Sequence, residues 1–202
     1  MNKMKIGIMG GTFDPIHNGH LTLAEYSRVN FGLDKILFIP TGKPPHKNNK
    51  EISSNWHRYN MTLLATSSNP YYDLSSIELE REGITYTIDT IRYLKSESEN
   101  REIYFILGSD SLFGIDKWKD YKELLGECNF IVTRRPDLTD EKLEEKIKEL
   151  SQISKNSILT LDSPLIDISS TQIRDRVRKG LSIRYLIPEG VRLYIEKNKL
   201  YR

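Results

Sequence analysis

Residues 5–32 read KIGIMGGTFDPIHNGHLTLAEYSRVNFG. The pattern predicts a strand that ends near Met9, a turn at Gly10 and Gly11, and a helix that begins around Asn18. A strand that feeds a helix through a glycine turn is the opening unit of open α/β sheets. Such sheets take ligands at the carboxyl ends of their strands, beside helix N-termini. Glycines there let the backbone come close to a ligand, and loop N–H groups can point at phosphate oxygens. The spacing is neither G-x-G-x-x-G nor G-x-x-x-x-G-K-[ST], which excludes the dinucleotide fingerprint and the P-loop.

The rest of the chain continues the alternation. KILFIP (35–40), EIYFIL (102–107) and NFIVT (129–133) are continuous apolar runs, the pattern of strands buried on both faces of a parallel sheet. Between them, 19–32, 55–68 and 86–98 carry helical periodicity. The expected fold class is a doubly wound, Rossmann-like α/β sheet flanked by helices. We expect a single domain over 1–202, with a helical part over about 169–202. Residues 139–153 read as an amphipathic helix with Leu143, Ile147 and Leu150 on one face and solvated charges on the other. Residues 188–201 read as a closing helix, with Pro188 at its first position and Val191, Leu193 and Ile195 at near-helical spacing.

Composition narrows the function classes. Hydrophobic residues make up 38% and charged residues 29% of the 202, as in globular proteins. A net charge of +2 is too mild to predict nucleic-acid binding, so any anion site must be local. No apolar run reaches membrane-spanning length, and the N-terminal apolar stretch is too short for a signal peptide. The single cysteine, Cys128, forms no internal disulfide framework and reads as a buried, inert thiol in a reducing cytoplasm.

His17 and His20 are three apart, so they share a face of the first helical turn. Two imidazole donors beside a helix N-terminus form a positive, directional cradle for a polyphosphate. A metal site is the poorer reading, because no nearby side chain completes a ligand set. Here the sequence resembles the nucleotidyltransferases that carry an H-x-G-H motif, in this chain His17-Asn18-Gly19-His20. ISSTQIRDRV (168–177) is similar to a second signature of that superfamily, I-S-S-T-x-[IV]-R. Ser169, Ser170 and Thr171 stand where they can cap a helix and bind an anion, and Arg174 follows one turn later.

The middle of the chain resembles the bacterial nicotinate-nucleotide adenylyltransferases, through FIPTGKPPHK (38–47), NWHRYNMTLLA (55–65), ELEREGITYTIDT (78–90), GSDSLFGIDKW (108–118) and YLIPEGVRLYIEKNKLY (185–201). That resemblance implies adenylyl transfer from ATP to nicotinate mononucleotide, giving deamido-NAD and pyrophosphate. It implies ATP contacts from Gly10, Gly11, Thr12, Phe13, His17, His20, Gly108, Asp110, Ser170, Thr171 and Arg174, with His17, His20 and Arg174 catalytic. It implies an acceptor pocket from Thr85 and Tyr86 with Trp118 stacked on the pyridine ring, and phosphate contacts from Lys43 and Lys47. Mg²⁺ is expected on the ATP phosphates rather than in a protein cage. Three positions depart from the pattern: Ile84-Thr85 before Tyr86, Ser109 inside G-x-D, and Lys119 after the tryptophan. They bear on how strictly an acid is preferred over an amide. Rival readings are another phosphorylated acceptor, such as nicotinamide mononucleotide or a pantetheine phosphate, a nucleotide-binding regulatory module, or a plain structural domain. We expect no nucleic-acid or membrane partner; self-association into a homo-oligomer is left open.

Overall fold

Every long apolar run becomes a strand of one parallel sheet. The computed structural model describes residues 3–43, 52–133, 140–164 and 166–202. In chain order they form β1 (Met4–Gly11), α1 (Asn18–Phe31), β2 (Lys35–Pro40), α2 (Asn55–Thr66), β3 (Tyr72–Leu74), α3 (Ile77–Glu80), α4 (Thr87–Glu97) and β4 (Arg101–Gly108). Then follow α5 (Ser109–Phe113), a 3₁₀ turn (Ile115–Lys117), α6 (Tyr121–Glu127), β5 (Asn129–Thr133), α7 (Asp140–Ser151), β6 (Ile158–Leu161), α8 (Ser170–Arg178) and α9 (Glu189–Lys197).

The strand order is β3-β2-β1-β4-β5-β6, and every pairing is parallel. The order reverses between β1 and β4, so loops leaving those two strands turn to opposite faces and open a crevice. Side chains alternate across each strand, yet both faces are apolar. In β4, Ile103, Phe105 and Leu107 pack with α4, α6 and α7 on one face, while Tyr104 and Ile106 pack with α1, α2, α8 and α9 on the other. This doubly covered sheet is the arrangement that the continuous apolar runs predict.

Several boundaries differ from the sequence expectation. β3 and β6 were not expected; each is a short edge strand. Pro188 is the residue before α9 (φ −57°, ψ 145°), one position earlier than expected, and Leu193 faces solvent while Val191 and Ile195 enter the core. In α7, Leu143 and Leu150 are buried as expected. Cys128 is buried, and burial pushes its thiol up to about 12, which makes it unreactive. Among the described residues no helix is long and apolar enough to cross a membrane.

Candidate active site

A cavity of about 990 Å³ opens at the carboxyl ends of β1, β2, β4 and β5, over the crevice between β1 and β4. At one end stand the start of α1 and the Ser169–Ser170 start of α8; at the other stand Thr85, Tyr86 and Trp118. Of the residues singled out in the sequence, Gly10, Gly11, Thr12, His17, His20, Gly108, Asp110, Ser170, Thr85, Tyr86 and Trp118 line it. Phe13, Lys43, Thr171 and Arg174 are not in the lining. Lys47 lies outside the described residues.

The two histidines are stacked, with ring centroids 3.6 Å apart and planes 27° from parallel. His17 is the N-cap of α1, and its backbone N–H donates to Nδ1 of His20 at 3.2 Å. With Nδ1 engaged as an acceptor, a neutral His20 ring carries its proton on Nε2. Phe13 meets His20 edge-on, with centroids 5.1 Å apart. It does so from a left-handed backbone (φ 50°), and its own ring is buried. Gly19 leaves room for this stack: a Cβ there would lie 3.1 Å from Nδ1 of His17 and press on its ring.

The cradle is less positive than the sequence suggests. His17 is 7% exposed, and burial pushes its ring down to about 4, so it is neutral at pH 7. Its Nδ1 has no hydrogen-bond partner. Two charged rings at stacking distance would repel, and removal from water disfavours the charge further. The pair therefore offers directed N–H groups rather than two cations.

At the α8 end, Ser169 caps the helix by accepting from the Gln172 N–H, while Gln172 Oε1 accepts from the Ser169 N–H. Ser170 Oγ donates to the Pro15 carbonyl at 2.9 Å. Arg174 sends Nη1–H to the Asp14 carbonyl (2.9 Å) and Nη2–H to Thr171 Oγ1 (3.3 Å), and its Nε is buried without a partner. Both motifs thus meet in space, and α8 is bonded directly to the β1–α1 loop.

At the other end, Trp118 lies edge-on to Phe105. The Thr85 hydroxyl is buried beside the Glu78 carboxyl, while its backbone N–H donates to the Lys43 carbonyl. Lys119 places Nζ 4.6 Å over the Tyr86 ring and 3.3 Å from Asp89. Glu78, which sequence reading passed over, also lines this end. It is buried, which raises its carboxyl above the usual range, and it accepts from the Thr90 hydroxyl at 2.8 Å.

Arg58 was missed as well. It is 1% exposed and uses its whole guanidinium: Nε to the Ser53 carbonyl, Nη1 to those of Thr12 and Thr41, and Nη2 to Gly42 O and Asn55 Oδ1. Burial lowers its pKa, partly offset by the nearby Asp14 carboxylate. It pins the β1–α1 loop, the β2 loop and the start of α2 to one another. An arginine inside a helical run gives no sign of this in sequence.

A family model described as cytidylyltransferase-like matches residues 8–176. The chain is 46% identical to a probable nicotinate-nucleotide adenylyltransferase of Thermoanaerobacter sp. (strain X514), over 99% of this chain and 95% of the relative. It is 48% identical to one of Dictyoglomus turgidum, over 98% and 96%. Among solved structures it is similar to Plasmodium falciparum nicotinic acid mononucleotide adenylyltransferase complexed with NaAD, with TM-score 0.79 and 26% identity over 98% of this chain and 97% of that one.

Proposed function

The chain belongs to the cytidylyltransferase-like nucleotidyltransferases, and from this we propose that it transfers the adenylyl group of ATP to nicotinate mononucleotide. Deamido-NAD and pyrophosphate are the products, and the step belongs to NAD biosynthesis. The observation that carries the reading is one shared cavity: a histidine pair and two helix N-termini at one end, an indole and a buried threonine hydroxyl at the other.

An oxygen of the acceptor's 5′-phosphate attacks the α-phosphorus of ATP in line. The bond from that phosphorus to the bridging oxygen breaks, and pyrophosphate leaves with the electron pair. The nucleophile is already an anion at neutral pH, so neither a base nor a covalent intermediate is needed. What the protein supplies is position and stabilisation of charge. His20, with Nε2–H as donor, faces the α-phosphoryl group, and His17 holds the ATP phosphates as a neutral ring. Gly10, Gly11 and Thr12 form the floor between the substrates. Ser170 and the N–H groups opening α8 take the leaving phosphates, with Thr171 and Arg174 adding hydroxyl and positive field behind them. Gly108 and Asp110 take the ribose. Trp118 stacks on the pyridine ring, and Thr85 and Tyr86 receive its carboxylate. Lys43 and Lys47 draw in phosphate. Phe13 serves by fixing the His20 ring.

Among the described residues no three His, Cys, Asp or Glu side chains cluster to hold a metal. The carboxylates lining the cavity, Glu78, Asp110 and Asp167, fit Mg²⁺ only together with phosphate oxygens of ATP itself. When bound, Mg²⁺ would neutralise phosphate charge. We further propose that the chain acts as a single domain in the cytoplasm.

The test is pyrophosphate release with ATP and Mg²⁺, comparing nicotinate and nicotinamide mononucleotides at equal concentration. Strong preference for the acid is expected. Equal use would leave the chemistry and remove the carboxylate pocket; no release with either would overturn the reading.

A further inference from the structure

We propose that Tyr201 is a positioning residue for this reaction: its hydroxyl, acting through Asp14, sets the place of His17 in the cavity. The proposal rests on the adenylyl-transfer reading above.

The stretch from Asp14 to Asn18 carries His17, and the segments on either side of α9 hold both of its ends. At the first end, the Tyr201 hydroxyl donates to Asp14 Oδ1 at 2.6 Å, across 187 residues of sequence. The other carboxylate oxygen accepts from the Ser53 N–H at 3.1 Å, and the Asp14 carbonyl accepts from Arg174. At the second end, the Asn18 N–H donates to the Leu186 carbonyl at 2.9 Å and Nδ2–H to that of Tyr185 at 2.7 Å. Asp14 is 3% exposed, so water has little access to replace a lost donor. Burial raises the Tyr201 hydroxyl well above the ordinary phenol range, so it remains a donor at any working pH.

The backbone near Tyr201 supports a specific role. Lys199 and Tyr201 both adopt left-handed conformations, φ 51° and 65°, which side-chain-bearing residues rarely take. Such conformations persist where tertiary contacts over-determine them. Here they return the chain beneath the β1–α1 loop. Packing of α9 itself is supplied by Val191 and Ile195. Replacing Tyr201 by Phe therefore keeps the ring and the helix core and removes only the oxygen, leaving one oxygen of a buried carboxylate unmatched three residues before His17.

The experiment is Tyr201→Phe, with steady-state kinetics on ATP and nicotinate mononucleotide, urea unfolding, and NMR of the histidine rings. We expect kcat to fall about tenfold with KM for the acceptor within about twofold, because misplaced groups cost transition-state rather than ground-state stabilisation. The ring signals of His17 and His20 should move. His57, whose Nδ1 lies 3.0 Å from Tyr194 Oη on α9, should stay and so reports that α9 keeps its place. Adding Tyr201→Phe to Asp14→Asn should cost little beyond Asp14→Asn alone, since both act through one bond. Wild-type kcat, unmoved His17 and His20 signals, additive losses, or a His57 shift as large as that of His17 would each overturn the proposal. Should the wild-type protein release no pyrophosphate, the reaction reading fails, and the ring signals still decide whether Tyr201 positions His17.

Discussion

Acidifying the protein from pH 7 to pH 4 should remove about 3 kcal/mol of folding stability through His17 alone. In the unfolded chain the ring takes up a proton near its ordinary value of 6.5; in the folded protein burial delays this to about 4. Above 6.5 the ring is neutral in both states and its contribution is complete. Between 6.5 and 4 the unfolded state holds the extra proton, so stability falls as the pH falls; below 4 both states are charged and nothing more is lost. Two and a half pH units at about 1.4 kcal/mol each give about 3.5 kcal/mol in full, of which about 3 kcal/mol is lost by pH 4, where the folded ring is half protonated. Domains are commonly stable by only about 5–15 kcal/mol, so the loss is readily measured. The assay is equilibrium urea unfolding of wild type and His17→Gln across that range. Carboxylates titrate in both proteins, so the quantity of interest is the difference between them, which should shrink at up to about 1.4 kcal/mol per pH unit. A difference that stays flat would show that burial does not keep the ring neutral, and that the cradle is charged after all.

His20→Ala should lower kcat by about 10²–10³ with unfolding unchanged, the typical loss for one preorganised donor at a reacting phosphoryl or acyl group; a variant keeping a tenth of wild-type turnover would refute its role. Gly42→Ala puts a Cβ 2.0 Å from the Glu78 carbonyl oxygen. That atom is backbone, so the loop bearing Thr85 must shift, costing about 1–3 kcal/mol in urea unfolding and raising KM for the acceptor more than for ATP. Arg58→Met leaves four half-buried carbonyls and Asn55 without their donor and should destabilise by about 3–5 kcal/mol, as when one side of a buried polar network is removed. Lys119→Met removes an exposed cation from the acceptor end of the cavity; worth at most about 1 kcal/mol, it should reduce the acid-over-amide ratio of kcat/KM by no more than about fivefold. An unchanged ratio would exclude Lys119 from acceptor choice.

The four long strands were legible because each is buried on both faces, and burial on both faces leaves an uninterrupted apolar run. β3 and β6 were not, because three- and four-residue edge strands carry too few buried side chains to print a pattern. At the site, the histidine pair could be read from spacing alone: a helix brings i and i+3 together wherever it lies. The proposed acceptor pocket was legible only through resemblance, since Thr85, Tyr86 and Trp118 reach it from loops whose approach depends on the sheet order. Glu78 stayed hidden inside ELERE, a charge run that reads as solvated surface. Its burial follows from how α3 lies against Gly42, where backbone meets backbone.

What remained invisible has a common physical cause. Arg58 binds the carbonyls of Thr12, Thr41, Gly42 and Ser53; Arg174 binds that of Asp14; Ser170 binds that of Pro15; Asn18 binds that of Tyr185. In each case the donor is a side chain and the acceptor is main chain. Every residue owns a carbonyl, so the accepting position carries no compositional mark, and no pairing of residue types can be sought along the sequence. Only the donor is encoded, and its target is fixed by the path of the backbone. The same asymmetry governs tolerance to substitution. A change of side chain at Thr41 or Pro15 leaves the accepting oxygen in place as long as the local backbone holds, whereas loss of Arg58 removes contacts from several loops at once. The asymmetry also explains why the two signature motifs, far apart in the chain, are held in register with no salt bridge between them among the described residues. One arginine and one serine of α8 read the shape of the β1–α1 loop rather than its side chains, and that shape in turn is set by Arg58 and the Asp14 carboxylate beneath it.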